Sequence, residues 1–261
     1  MDKLYVIKIG GNVIDDNNKL SSFLSEFAAI ESKKILVHGG GKLATKMAAS
    51  LQIPQQMIDG RRVTDAETLK VVTMVYAGYI NKNIVAQLQA AGCNAIGVCG
   101  ADGNAIQAHK RMSAATDYGF VGDIDVVNAS FFLGLLQQHD SVVVAPITHD
   151  GKGQLLNTNA DTIAQEMAKA LSALYDVELI YSFEKAGVLM DANDEATVIK
   201  EIHPTGYQQL KEQQVIFAGM LPKLDNAFAA LQSGVKRVII GKAEELPKLI
   251  NGESGTQIVH G

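Results

Sequence analysis

The sequence has no tryptophan, five prolines and only two cysteines among its 261 residues. The two cysteines, Cys93 and Cys99, are too few for a disulfide framework and lack the CxxC spacing of a zinc or thiol-redox site. Lysines and arginines form no run that could neutralise a row of phosphates, and the formal net charge is -5. We therefore expect a protein of a reducing cytoplasm that does not bind nucleic acid.

Long apolar runs are also missing. The longest stretch without a charged residue, residues 83–101, is interrupted by glutamine, asparagine and glycine, and Lys8 interrupts the first apolar segment of the chain. Because of these interruptions, we expect neither a membrane-spanning segment nor a secretion signal. With 47% hydrophobic and 20% charged residues, the composition is typical of a globular protein.

Short runs rich in valine and isoleucine alternate with segments of helical period. This alternation predicts an α/β fold, a three-layer sandwich with a central, mainly parallel sheet and helices on both faces. The predicted strands are residues 4–9, 35–37, 95–98, 142–145, 177–180 and 238–240. The predicted helices are residues 19–30, 42–51, 65–90, 129–138, 161–174 and 224–232. Polar–apolar alternation predicts a β-hairpin over residues 105–127.

The predicted helix over residues 65–90 is unusually long, about 39 Å at 1.5 Å per residue. Its apolar residues spread around the helix instead of forming one stripe: Val71, Val72, Val75, Tyr76, Tyr79, Ile80 and Ile84. Such a helix is buried on two sides within one subunit, or it also packs against a second subunit, and we expect a homodimer. No linker or repeat divides the chain, so we predict a single domain with an N-terminal lobe (1–174) and a C-terminal lobe (175–261).

Two predicted strands run directly into glycines. Residues 8–11 read Lys-Ile-Gly-Gly, and residues 38–41 read His-Gly-Gly-Gly before a predicted helix. Glycines at such places let backbone N–H groups approach an anion, and a helix N-terminus favours negative charge. The first pair is equally compatible with a tight turn. Residues 39–44 also satisfy the G-x-G-x-x-A pattern of a dinucleotide-binding turn, but that pattern requires an acidic residue at the end of the next strand, where this chain has a loop near Asp59.

Three further motifs place polar residues beside predicted helices. Residues 60–64 (Gly-Arg-Arg-Val-Thr) carry an arginine pair, of which Arg61 is expected at the surface and Arg62 suits a carboxylate ligand. Residues 157–161 (Asn-Thr-Asn-Ala-Asp) contain more polar groups than one N-cap needs. In residues 219–223 (Gly-Met-Leu-Pro-Lys), a lysine lies near the positive end of a helix, where an anion such as a phosphate should compensate it.

Other chemistries lack their motifs. The six histidines show no metal-ligand spacing, and the sequence contains neither a G-x-S-x-G elbow nor a G-x-x-x-x-G-K-[ST] loop. We therefore expect no protein-bound metal, no serine nucleophile and no P-loop.

Taken together, the motifs K-x-G-G, H-G-G-G, G-x-R-V-T, N-x-N-A-D and G-M-x-P-K resemble the amino-acid kinase family, in their order and spacing and over essentially the whole chain. The third and fourth motifs favour its acylglutamate kinase branch. The resemblance implies three catalytic residues, two lysines that stabilise the transferring phosphoryl group and an aspartate that organises them: Lys8, Lys223 and Asp161. It implies that the acylglutamate is bound by Gly40, Gly41, Arg62 and Asn157. It implies nucleotide contacts from Gly10, Gly11, Gly187, Val188 and Leu189.

The resemblance also implies a reaction, the ATP-dependent phosphorylation of the side-chain carboxylate of N-acetyl-L-glutamate in arginine biosynthesis, with Mg²⁺ bound to the ATP phosphates. It implies an N-terminal lobe that binds the acylglutamate and dimerises, a C-terminal lobe that binds the nucleotide, and an arginine-insensitive homodimer. Residues 182–189 depart from the family pattern because they lack its aspartate and are one residue longer. N-succinyl-L-glutamate as acceptor and a non-catalytic nucleotide or amino-acid sensor are alternatives; a dinucleotide-dependent oxidoreductase is a third.

Overall fold

The computed structural model of the chain describes residues 1–58, 61–114, 116–191, 193–212 and 220–260. Two glycines of the motifs above, Gly60 and Gly219, lie outside the described residues. None of the helices within these ranges is both long and apolar enough to cross a membrane.

The described residues form fourteen strands and ten α-helices. The strands are β1 (Lys3–Ile9), β2 (Lys33–His38), β3 (Gln56–Ile58), β4 (Arg61–Val63), β5 (Ala95–Val98), β6 (Ile106–Lys110), β7 (Gly122–Val127), β8 (Ser141–Val144), β9 (Ile147–His149), β10 (Leu155–Asn157), β11 (Asp176–Phe183), β12 (Glu201–Ile202), β13 (Arg237–Lys242) and β14 (Thr256–Ile258). The helices are α1 (Gly11–Ile14), α2 (Asn17–Ala28), α3 (Gly41–Ser50), α4 (Ala66–Thr73), α5 (Asn81–Ala90), α6 (Ala129–Gln138), α7 (Ala160–Leu171), α8 (Pro204–Glu212), α9 (Leu221–Gln232) and α10 (Leu246–Asn251).

A central sheet of eight strands runs through the molecule in the order β12-β14-β13-β11-β1-β2-β8-β5. The strands pair in parallel except at β13 and β14, which are antiparallel. Strand β1 shows why helices cover both faces: Leu4 and Val6 pack into one hydrophobic cluster with α6, α7 and α9. Tyr5, Ile7 and Ile9 pack into the other with α2, α3, α5 and α10. The predicted three-layer α/β fold is confirmed.

The predicted long helix is continuous from residue 66 to residue 90, but its middle differs from the prediction. Residues Met74–Ile80 form a π-helical segment between α4 and α5. All but one of the seven apolar residues singled out above are buried within this chain; Tyr79, 64% exposed, is the exception. Burial on two sides within one subunit therefore accounts for most of the apolar excess.

Smaller elements complete the molecule. The predicted hairpin is present as the antiparallel pair β6 and β7, which belongs to a separate four-stranded sheet in the order β10-β9-β6-β7. The short hairpin of β3 and β4 follows α3. A parallel strand would have to follow α3 in a dinucleotide-binding unit, so this connection argues against the G-x-G-x-x-A interpretation of residues 39–44.

Candidate active site

A carboxylate between two lysines lies at the carboxyl edge of the central sheet. Asp161 Oδ1 lies 2.7 Å from the Nζ of Lys8, which comes from β1. Asp161 Oδ2 accepts a hydrogen bond from the Nζ of Lys223, which lies in the first turn of α9. The three side chains are 14–20% exposed. The structure thus brings together three residues that lie far apart in the sequence.

Asp161 is available for this contact because a neighbour caps the helix. The side chain of Asn159 is the N-cap of α7 and accepts hydrogen bonds from the backbone N–H groups of Asp161 and Thr162 at 2.8 and 3.2 Å. One polar residue of the segment 157–161 thus caps the helix, which leaves the Asp161 carboxylate to the lysines.

The electrostatics of the cluster keep Asp161 ionised. Burial alone would raise the pKa of the Asp161 carboxyl, but the charges and hydrogen bonds of Lys8 and Lys223 lower it far below its usual range. The anion that compensates Lys223 at the N-terminus of α9 is thus Asp161. Two lysines and one carboxylate leave one net positive charge, which suits a site for additional negative charge.

A cavity of about 240 Å³ lies beside the start of α7. Its wall includes Asn159 and Ala160, the residues just before Asp161. The remaining wall residues come from the glycine loop after β2, the β3–β4 hairpin, the π-helical segment and the β6–β7 sheet: Gly39, Gly40, Gly41, Met57, Arg61, Arg62, Tyr76, Arg111, Val121, Pro146, Asn157 and Thr158. The structure places all four predicted acylglutamate-binding residues in this wall.

Arg62 carries a buried positive charge in the cavity wall. Its side chain donates to the Gly41 carbonyl and the Thr45 hydroxyl, both at 2.9 Å, and to the Gln55 side chain. Arg62 is 8% exposed, and within the described ranges the arginines that form ion pairs are Arg111 and Arg237. A buried guanidinium held only by neutral groups is suited to binding an anionic ligand.

Asn157 lies across the cavity at the end of β10. Its side-chain amide donates to the buried hydroxyl of Thr64, the last residue of the R-V-T motif, at 3.0 Å. This bond joins the arginine motif to the asparagine motif and fixes the orientation of the Asn157 side chain.

Glycine is required at position 40. Gly40, the N-cap of α3, has φ +140°, and a Cβ there would lie 2.2 Å from Cδ1 of Ile80 in the π-helical segment. Gly39 is different, because a Cβ at that position meets no atom within 4 Å.

We expect Gly40→Ala to lower the free energy of unfolding by about 1–3 kcal/mol, because the new side chain combines an unfavourable φ with a steric clash. Gly39→Ala, the matched control, should change it by less than about 0.5 kcal/mol. Urea denaturation of the ligand-free variants measures both values. Equal stability of the two variants would contradict the packing described for this loop.

His38, immediately before the glycines, belongs to the core. It is fully buried, its Nδ1 lies 2.9 Å from the Gly39 carbonyl oxygen, and its Nε2 lies 3.3 Å from the Asn81 side-chain nitrogen. These contacts fit a neutral imidazole that donates from Nδ1 and accepts at Nε2. Burial lowers the pKa of His38 from 6.5 to about 4.

This pKa predicts acid destabilisation. Between pH 6.5 and 4 the unfolded chain binds a proton that the folded protein does not, so the stabilisation is complete above pH 6.5 and is lost as the pH falls toward 4. The free energy of unfolding is expected to decrease by about 3 kcal/mol over this range. Urea denaturation at several pH values should show a shallower pH dependence for His38→Gln than for the unmutated protein. If the unfolding free energies of the two proteins varied with pH in parallel, the acid destabilisation could not be assigned to His38.

The predicted nucleotide-binding residues follow strands β1 and β11. Gly10 and Gly11 follow β1, but the Gly10 N–H already donates to the Ser182 carbonyl at 3.0 Å. Gly10 therefore shapes the turn, while the Gly11 N–H, at the first position of α1, has no acceptor within that helix.

The second predicted nucleotide segment packs against the core. A Cβ at Gly187 would lie 2.6 Å from the Thr256 hydroxyl, and the Val188 N–H donates to that hydroxyl at 2.8 Å. Val188 and Leu189 are 1% and 9% exposed. The side chains of Val188 and Leu189 therefore belong to the core, and the Val188 carbonyl accepts a further hydrogen bond from the Ile199 N–H at 2.9 Å.

Sequence reasoning missed two residues of this region. Tyr181, in β11, lies beneath Lys223, and Arg111, after β6, lines the cavity. Arg61 was expected at the surface; it is exposed, and it also lines the cavity. No local motif marks Tyr181 or Arg111, because each reaches the site through strand pairing or chain reversal.

Residues 3–242 match the amino acid kinase family, and the chain belongs to this family. It is 55% identical to an acetylglutamate kinase of Cytophaga hutchinsonii over 99% of both chains. It is 52% identical to an acetylglutamate kinase of Bacteroides fragilis, over 98% of this chain and 97% of the relative. An acetylglutamate kinase of Methanopyrus kandleri is 37% identical over 92% of this chain and 96% of the relative.

Solved structures show the same fold. N-acetylglutamate synthase from Neisseria gonorrhoeae, complexed with coenzyme A and N-acetyl-glutamate, matches 99% of this chain and 59% of its own with a TM-score of 0.82 and 21% identity. Carbamate kinase from Giardia lamblia bound to AMP-PNP matches 100% of this chain and 99% of its own with a TM-score of 0.74 and 15% identity.

Proposed function

We propose that the chain transfers the γ-phosphoryl group of ATP to the side-chain carboxylate of N-acetyl-L-glutamate, a step of arginine biosynthesis. The observation that carries this proposal is the buried Arg62 guanidinium in a cavity whose wall includes Ala160, the residue before Asp161 in the cluster with Lys8 and Lys223. Arg62 and Asn157 would bind the α-carboxylate and acylamino end of the acceptor, so that its side-chain carboxylate points toward the lysines. The relatives named acetylglutamate kinase support this choice of acceptor.

In the proposed mechanism no general base is needed. A glutamate side chain has a pKa near 4.3 and is already ionised at neutral pH. Lys8 and Lys223 would neutralise the charge of the transferring phosphoryl group, and Asp161 would hold both ammonium groups in place. Because Asp161 is kept ionised by its two partners, we assign it this positioning role.

The second substrate in this proposal is MgATP. Its phosphates would lie against the Gly11 N–H and the two lysines, with the metal ion carried by the phosphates. Within the described part of the chain, no three His, Cys, Asp or Glu side chains group together as a metal site; in this proposal the metal ion arrives with the nucleotide. Because the reaction consumes ATP, we propose the cytoplasm as its compartment.

The proposal extends to lobes and assembly. We assign acceptor binding to residues 1–174 and nucleotide binding to residues 175–261, although the central sheet continues across this boundary through the pairing of β1 with β11. We also propose a homodimer through the π-helical segment, which exposes Met74 and Tyr79, and the neighbouring α3, where Met47 and the C-cap residue Leu51 are exposed. Light scattering tests the dimer: a monomeric mass at micromolar concentration would contradict it.

Hydroxylamine trapping tests the reaction. It converts an acyl phosphate into a stable hydroxamate, and it should give ATP-dependent product with N-acetyl-L-glutamate and much less with free L-glutamate. If ATP binds but no acceptor is phosphorylated, the chain is a sensor with the same fold, and the proposed activity is wrong.

One observation favours N-succinyl-L-glutamate as a second candidate acceptor. Arg61 and Arg111 line the same cavity as Arg62, and a succinyl group adds a carboxylate that a further arginine could bind. Arg111 is already held by Asp123 through a bidentate ion pair, which leaves Arg61 as the available partner. A higher kcat/KM for the succinyl compound, reduced selectively in Arg61→Ala, would establish this acceptor; equal loss for both compounds would exclude it.

A further inference from the structure

The side chain of Tyr181 contacts the catalytic cluster from below. Its ring is 1% exposed, and the Nζ of Lys223 lies 5.5 Å from the ring centroid. Its hydroxyl donates to the backbone carbonyl of Asp161 at 3.4 Å. In the parallel pairing of β1 with β11, Tyr181 lies opposite Lys8. One aromatic side chain thus adjoins all three members of the cluster.

We propose that Tyr181 is a positioning residue for phosphoryl transfer, whose ring face keeps the Lys223 ammonium charged and directed toward Asp161. The face of an aromatic ring is electron-rich and attracts a cation, most strongly where water is excluded. The proposal rests on the function proposed above, since the step that Lys223 serves is phosphoryl transfer.

Lys223 needs such support because of what surrounds it. Burial lowers the pKa of the Lys223 ammonium, the nearby charge of Lys8 on β1 lowers it further, and the charges of Asp161 on α7 and Glu184 after β11 raise it. The single negative charge of Asp161 is shared between two lysines. The ring of Tyr181 stabilises the cation without adding a second carboxylate, which would repel the phosphates.

The proposal assigns the effect to the ring and not to the hydroxyl. Tyr181→Phe keeps the ring, so its kcat should remain within about twofold of that of the unmutated enzyme. Tyr181→Leu removes the ring, and its kcat should fall about 3- to 30-fold. The alkaline limb of its kcat–pH profile should also move to lower pH, because Lys223 then loses its proton more easily, while the KM for the acceptor changes less than about twofold.

A fluorinated series separates electrostatics from shape. Phenylalanines with one, two or three ring fluorines at position 181 pack similarly, but the attraction of the ring face for a cation decreases with each fluorine. We expect kcat to fall stepwise along this series while the thermal midpoint stays nearly constant. A flat series would overturn the proposal.

The Lys223 titration can be measured without any substrate. In protein labelled with ¹⁵N-lysine, the Nζ signal of Lys223 is assigned by its loss in Lys223→Arg, and its pKa is read by NMR. The pKa should be lower in Tyr181→Leu than in Tyr181→Phe; identical titrations would overturn the proposal. If the unmutated enzyme phosphorylates no acylglutamate, the proposed function fails, and this titration still decides the role of Tyr181.

Discussion

Replacing Lys8 or Lys223 by alanine is expected to lower kcat about 10²- to 10³-fold, the loss typical of removing one preorganised donor from a transition state that carries charge. Each lysine contacts one oxygen of Asp161. Removing either takes away the net positive charge of the cluster and leaves the transferring phosphoryl group beside a neutral pair.

The measurement is steady-state kinetics with saturating ATP and acceptor, after circular dichroism has shown that the variants fold. Lys70→Ala is a matched control, because this lysine pairs with Glu67 on the exposed surface of α4 and its removal should leave kcat unchanged. Losses below about tenfold in both cluster variants would remove the catalytic assignment.

Arg62→Ala is expected to raise the KM for the acylglutamate about 10²- to 10³-fold with a smaller effect on kcat, since a desolvated charge pair with the acceptor is lost. Arg62→Lys should recover only part of this loss, because an ammonium cannot reproduce the planar fork of a guanidinium. Arg62 also bonds the Gly41 carbonyl and Thr45, so the alanine variant should loosen the start of α3.

The KM for ATP serves as the internal control, because Arg62 lines the cavity proposed to bind the acceptor and not the proposed nucleotide site. It should change less than about threefold. An equal rise in both KM values would indicate a general collapse of the site, and an unchanged KM for the acceptor would contradict the role given to Arg62.

The local sequence pattern was sufficient to predict the helices and strands in which apolar residues recur at regular spacing. The predicted helix over residues 129–138 coincides with α6, and the strand over residues 95–98 coincides with β5. The π-helical segment was not predictable, because the spacing of apolar residues does not distinguish it from an α-helix; in the structure Tyr76 and Ile80 lie against Gly40. The edge strands β12 and β14 are two and three residues long, too short for a periodic signal.

The candidate site was predictable where its residues follow strands or begin helices. Lys8 and the glycines after β2 come together because parallel strands end at one edge of the sheet. The contact between Asp161 and Lys223, 62 residues apart, came only from the family resemblance, since spacing alone does not show that α7 and α9 are neighbours. Tyr181 was missed because a buried tyrosine in a strand has the same sequence pattern as any core residue.

The most direct test of the account is NMR of N-acetyl-L-glutamate labelled with ¹³C at its side-chain carboxyl, mixed with MgATP and the enzyme. The labelled carbon is expected to move to the shift of an acyl phosphate and to split through coupling to phosphorus, and Lys223→Ala should nearly abolish this signal. ATP consumption without a phosphorus-coupled carbon at that position would contradict the proposed reaction.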